Sequence, residues 1–146
     1  ETEGGGGGAS FVEELKKHAG RCSIALRGAI MDASELAEVE RTAEVFVYPS
    51  EDAIGEACPV APMEAMALGV PTVVSGLGCY DDYVLDTQNA FKFQTANVEA
   101  LADVLRELVV SDSLRLEISR AAASDAKRFS VQDVAKKYLS VFSDGM

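Results

Sequence analysis

The sequence predicts an α/β fold in which a parallel sheet is covered on both faces by helices. Three observations carry this expectation. Short apolar runs at 45–48 and 72–74 have the length of strands and are bounded by turn residues. These runs are continuous rather than alternating, as strands buried on both faces are. Segments with helical spacing alternate with them as far as Phe93, which makes successive strands parallel.

The elements follow in order. Residues 4–8 are consecutive glycines, with no side chains to pack, so 1–9 reads as a flexible tail or linker. A phosphate-cradling loop would need a strand before it, and none precedes this run. The folded domain is expected over 10–146, with no internal repeat and no second domain. Phe11, Val12, Leu15 and Ala19 repeat at helical spacing after Ser10, a plausible N-cap, and Gly20 ends that helix. His18 near its end suits the C-terminal dipole better than catalysis. Residues 22–26 read as a short strand closed by Gly28, and 34–42 as a helix capped by Ser34. The strand at 45–48 is followed by a helix over 62–68 that Gly69-Val70-Pro71 stops. Strands at 72–74 and 90–93 follow. Helices at about 98–110, 113–128 and 131–142 close the chain, with Asn97 capping the first and Ser130 and Asp133 in capping-box spacing at the last.

Composition narrows the function. With 146 residues, 48% of them hydrophobic, the chain can bury one core. A net charge of −11 repels phosphate backbones, so nucleic acid is not an expected partner. No apolar run reaches the roughly 18–20 residues a membrane helix needs, and no signal peptide is visible. Cys22, Cys58 and Cys79 are odd in number and form no CxxC pair, which argues against a disulfide framework or zinc site. Reduced cysteines suit a cytoplasmic protein, membrane-peripheral at most.

In an open parallel sheet, ligands bind outside the carboxyl ends of the strands. Glu56 falls in the loop after the strand at 45–48, and Glu64 falls in the first turn of the following helix, with Pro62 near its N1 position. A helix N-terminus offers free amides and a positive dipole end for a phosphate, and carboxylates beside it accept from sugar hydroxyls. For any two glutamates the simpler reading is dipole complementation by Glu64 and a solvated Glu56.

The surrounding residues favour the ligand reading. The chain runs Glu56-Ala57-Cys58-Pro59-Val60-Ala61-Pro62-Met63-Glu64-Ala65-Met66-Ala67-Leu68-Gly69-Val70-Pro71-Thr72-Val73. This resembles the signature of retaining GT-B glycosyltransferases of family 4: two glutamates separated by seven residues, the second opening Glu-Ala-Met-Ala-x-Gly-x-Pro-x-Val. The preceding Ala43-Glu44-Val45-Phe46-Val47-Tyr48-Pro49-Ser50 is similar to the family's Ala-Asp-Val-Phe-Val-x-Pro-Ser, and Phe129-Ser130 to its closing Phe-Ser pair. The resemblance implies a Rossmann-like three-layer donor-binding domain, incomplete at its N-terminus, from an enzyme transferring a sugar of hexose type from a UDP- or GDP-linked donor. It assigns the donor-sugar hydroxyls to Glu56 and the ribose to Glu64. It places Gly28, Ile30 and Asp32 around the base, with Asp32 near its polar edge, and Ala57 and Cys58 at the donor. No metal and no further cofactor are implied.

Two departures stand out. Ala57-Cys58-Pro59 replaces the family's usual Gly-Phe-Gly, and Pro59 has no N–H to offer a ligand. The family's diphosphate-clamping Arg and Lys, and its acceptor-binding N-terminal domain, lie upstream of this stretch; Arg21 and Arg27 are poor substitutes. The fragment alone is therefore expected to be inactive, and its incomplete sheet to self-associate through an exposed edge. The glycines of Ser75-Gly76-Leu77-Gly78-Cys79-Tyr80-Asp81-Asp82 would let backbone approach a donor or make a plain turn. Cys58 and Cys79 read as buried structural thiols, and Asp81-Asp82 do not converge on a metal unaided. Two other functions compete: a nucleotide-sugar-binding module without turnover, and a response-regulator-like signalling domain. The second needs a phosphoacceptor Asp at the end of the central strand, where Pro49-Ser50 stand instead.

Overall fold

The computed structural model describes residues 9–20, 22–52 and 56–144, so the glycine run at 4–8, Arg21 and Gly55 lie outside it. The chain divides into two compact units, Glu1–Met31 and Asp32–Met146.

The first unit holds helix α1 (Ala9–Ala19), in which the expected cap Ser10 is already helical. Gly20 ends it at φ +55, and His18 Nδ1 meets the Glu14 carbonyl at 2.9 Å near that end. The strand expected at 22–26 does not form, and Ile24 and Leu26 are 48% and 46% exposed. A strand exists only through the ladder that satisfies its backbone groups, and an apolar run does not supply one.

The second unit contains α2 (Ala33–Arg41), β1 (Phe46–Tyr48), α3 (Val60–Ala67), β2 (Thr72–Ser75), β3 (Phe91–Phe93), α4 (Val98–Val110), α5 (Asp112–Ala126) and α6 (Val131–Asp144). Single 3-10 turns occupy Gly78–Tyr80 and Lys127–Phe129. The sheet is parallel, ordered β1-β2-β3, with Phe46 opposite Thr72 and Val73 opposite Phe91. β2 is therefore the central strand, and all four of its residues are buried. Val74 packs with Met66, Tyr80, Tyr83 and Ala122, while Val73 packs on the opposite face with Phe91, Phe93, Leu108 and Ile118. β1 corrects the expectation of burial on both faces: it lies at the sheet edge, and each of its residues is only half-buried. The expectation that Pro49-Ser50 end the central strand changes with it. β2 ends in Ser75, so the central strand still carries no phosphoacceptor aspartate.

The helix ends follow their local chemistry. Asp32 rather than Ser34 caps α2, accepting from the Ser34 and Glu35 amides at 2.9 Å, because a carboxylate one residue before the helix reaches both. Asn97 caps α4 and Ser111 caps α5. At the end of α3 the Val70 amide bonds the Ala65 carbonyl and the Gly69 amide bonds Met66, both at 3.0 Å, with Gly69 at φ +74. This double closure needs a left-handed residue, which explains the Gly-x-Pro stop. Gly76 answers a different demand. A Cβ there would stand 3.1 Å from the Phe93 carbonyl, so it serves the β2–β3 approach.

Candidate functional site

Tyr48 ends β1, and Ser50 follows two residues later. In extended chain such a spacing puts both side chains on one side. Both converge on Glu56: Tyr48 Oη donates to Glu56 Oε1 at 3.1 Å, and Ser50 Oγ donates to the same oxygen at 3.0 Å. Hydrogen bonds to a carboxylate are each worth about 1.5–3 kcal/mol when protected from water, and Glu56 is half-buried. Burial, then the Glu56 carboxylate, raise the Tyr48 pKa, so Tyr48 stays a donor through the neutral range. Oε1 thus carries two donors, and Glu56 is an acceptor for hydroxyls rather than a solvated loop residue.

The segment after Glu56 is tied to the core. Pro59 is buried, and its carbonyl accepts from the buried Tyr83 hydroxyl at 2.9 Å. The Tyr83 ring packs edge-on against Tyr80 and Phe129. Pro59 is also the N-cap of α3 and makes no side-chain cap, so the first amides of the helix have no capping side chain. Ala57 and Cys58 lie exposed between Glu56 and Pro59. Exposure of Cys58 corrects the expectation of a buried thiol, because the turn points it outward; Cys79 is half-buried.

Glu64 is placed differently from the expectation. α3 begins at Val60, so Pro62 is its third residue and Glu64 its fifth, two residues deeper than foreseen. Val60 and Ala61 extend the helix backwards: alanine is the best helix former, and the small cost of valine does not prevent it. Glu64 is exposed and lines a cleft of about 210 Å³ between α2 and α3, with Ala33, Leu36, Ala37, Glu40, Ala67 and Leu68. Glu40 faces it there: burial first, then the Glu64 charge, raise the Glu40 pKa. On its other side Glu64 borders a groove of about 560 Å³ that includes Met63, Lys127, Phe129 and Ser130. Neither cavity includes Glu56.

The remaining candidates divide between the units. Asp32 is exposed, and its Oδ1 caps α2, so part of its acceptor capacity is already used. Gly28 and Ile30 belong to the first unit, in irregular chain; Gly28 is exposed with open space where a Cβ would stand, and Ile30 is half-buried. Asp81 pairs with Lys92, and the Asp82 carbonyl accepts from Arg128 at 2.9 Å. The sequence reading missed Tyr48, Ser50 and Tyr83. The two-residue spacing of Tyr48 and Ser50 at a strand end was a usable signal; Tyr83 left none, since its partner is a backbone carbonyl.

The family model described as glycosyl transferases group 1 matches residues 4–125. The D-inositol 3-phosphate glycosyltransferase of Xylanimonas cellulosilytica is 29% identical over 143 residues, covering 96% of this chain and 34% of the relative. The phosphatidyl-myo-inositol mannosyltransferase of Mycobacterium leprae is 30% identical over 137 residues, covering 92% of this chain and 36% of the relative. The chain thus spans about a third of the length of these curated relatives. Among solved structures, Anabaena HepE in complex with UDP superposes with a TM-score of 0.80 at 20% identity, covering 92% of this chain and 37% of that one. Sucrose-phosphate synthase from Thermosynechococcus elongatus gives 0.78 at 18% identity, with 92% and 33% covered. The three parallel strands with their helices are therefore part of a GT-B, Rossmann-like fold.

Proposed function

The chain belongs to the group 1 glycosyl transferases, and we propose that it is the donor-binding half of a retaining enzyme that moves a hexosyl group from a nucleoside diphosphate sugar to an acceptor held elsewhere in a longer protein. The observation that carries this reading is the Glu56 arrangement. A carboxylate fixed at Oε1 by Tyr48 and Ser50 keeps Oε2 to accept from sugar hydroxyls, at the carboxyl end of a strand. Glu64, on the next helix, accepts the ribose hydroxyls. The α3 amides, lacking a side-chain cap, suit the diphosphate between them. UDP and UDP-glucose complexes of HepE support a nucleotide-sugar donor for this chain. Glu56 aligns the sugar rather than attacking it, and alignment of the reacting carbon with its acceptor is a large part of such catalysis.

The test uses the full-length protein with Glu56→Ala and Glu64→Ala. Glu64→Ala should weaken both free nucleoside diphosphate and nucleotide sugar in calorimetry. Glu56→Ala should leave the free nucleotide nearly unaffected and lower turnover. Variants that bind and turn over like the parent would remove this site assignment.

We further propose that the chain by itself transfers no sugar: it spans about a third of the length of its curated relatives, and transfer also needs an acceptor site and positive charge on the departing diphosphate. Its half-buried edge strand β1 offers unpaired backbone to a partner, so the isolated chain should self-associate. Transfer by a purified chain that sediments as a monomer would overturn both statements. Among the described residues no helix is long and apolar enough to cross a membrane. A cytoplasmic location, membrane-peripheral at most in the full-length protein, fits this reading.

A further inference from the structure

Tyr80 is fully buried, yet its hydroxyl has no partner in full hydrogen-bonding geometry. It closes the turn Gly78–Tyr80 that follows β2, and its ring packs against Tyr83. A phenylalanine would fill that space without leaving a buried hydroxyl unpaired. Burial pushes the Tyr80 pKa up to about 12, so the group keeps its proton and acts as a donor. Tyr80 belongs to the core cluster against which Tyr48 packs, and the Ser50 hydroxyl beside it favours the ionised form against the larger effect of burial. Ser50 has already given its own proton to Glu56 Oε1 at 3.0 Å, and a hydroxyl that has donated keeps lone pairs to accept with.

We propose that Tyr80 is a positioning residue of the donor-sugar site: when sugar occupies Glu56, the Tyr80 hydroxyl donates to Ser50 Oγ, and the relay from Tyr80 through Ser50 locks Glu56 Oε1 in place. Each member of such a chain polarises the next, so the Ser50 bond to Glu56 strengthens when Tyr80 joins it. Oε2 is then held toward the sugar, where a small displacement would misalign the reacting carbon. Tyr80 touches no substrate; it acts through Ser50. This inference rests on the reading of Glu56 given above.

The experiment uses the full-length protein with Tyr80→Phe, Ser50→Ala, the double variant, and Glu56→Gln as reference. Turnover, donor KM, affinity for free nucleoside diphosphate, and melting temperature are measured on each. The expected result is a roughly threefold to tenfold fall in kcat for Tyr80→Phe, with nucleotide affinity unchanged. Tyr80→Phe should add no further loss in the Ser50→Ala background, since the relay is already cut. A Tyr80→Phe variant with unchanged kcat overturns the inference, as does one whose loss adds fully to that of Ser50→Ala. Equal falls in melting temperature and nucleotide affinity overturn it too, because they mark a merely structural role. If Glu56→Gln lowers kcat and Tyr80→Phe does not, the proposed function stands and the relay falls. If Glu56→Gln changes nothing, both fall.

Discussion

Glu56 and Glu64 are the same residue type eight positions apart, and the fold treats them in opposite ways. Glu56 sits in a loop, where a side chain is ordinarily free, and two hydroxyls from the end of β1 hold it. Glu64 sits on a helix, where the backbone is fixed, and its carboxylate is exposed toward a cleft in which the facing group, Glu40, repels it. The irregular region is thus the more ordered at the level of side-chain atoms. One carboxylate is oriented by the protein before any ligand arrives. The other has only acceptor capacity to offer, and a partner rich in hydroxyl donors would relieve the strain between it and Glu40.

Three experiments sharpen or break this contrast. The largest effect should come from the site itself. Glu64→Ala removes a charged acceptor, worth about 1.5–3 kcal/mol, or tenfold and more in nucleotide affinity. Its melting temperature should hardly move, because no described group leans on that carboxylate. Comparable destabilisation of the fold would mean that Glu64 is as embedded as Glu56.

The next effect concerns the ordered loop. Tyr83→Phe leaves the buried Pro59 carbonyl without its donor, and stability should fall by about 1–3 kcal/mol. Denaturant unfolding measures this. A loss near zero would show that the loop needs no tether to the core.

The smallest effect tests the repulsion at Glu64. The Glu40 pKa lies above its ordinary value of 4.5, so the folded state holds that proton more tightly than the unfolded state. The stabilisation is fully present below pH 4.5 and is lost as pH rises through the folded value. Glu40→Gln should therefore raise the melting temperature at pH 7 and leave it unchanged near pH 4. Water screens both groups, so the gain should be roughly 0.5 kcal/mol or less. No gain at pH 7 would mean that neither burial nor the Glu64 charge penalises the Glu40 carboxylate.

Much of the fold was legible because it rests on local chemistry. Gly69-Val70-Pro71 announced the end of α3, and Asn97 announced the start of α4. The strands at β1, β2 and β3 were visible as apolar runs between turns. The same signal failed at 22–26, since an apolar run is necessary for a buried strand but does not provide its ladder. Burial of β1 was overread for a related reason: composition cannot tell an edge from a centre. At the candidate site, the resemblance of the surrounding segment singled out the two glutamates, whereas what surrounds each was hidden. Glu40 comes from another helix, and Tyr83 reaches Pro59 from 24 residues away.

Tyr83 grips a backbone atom, and a carbonyl is present whatever amino acid stands at that position. Sequence drift in the loop therefore does not erase its anchorage. Ala57 and Cys58 point to solvent, so neither is held by packing. Evolution can rewrite these residues while the attachment of the loop to the core persists. The replacement of Gly-Phe-Gly by Ala57-Cys58-Pro59 is the kind of change such an anchor tolerates: a hinge bolted through its frame accepts a new leaf.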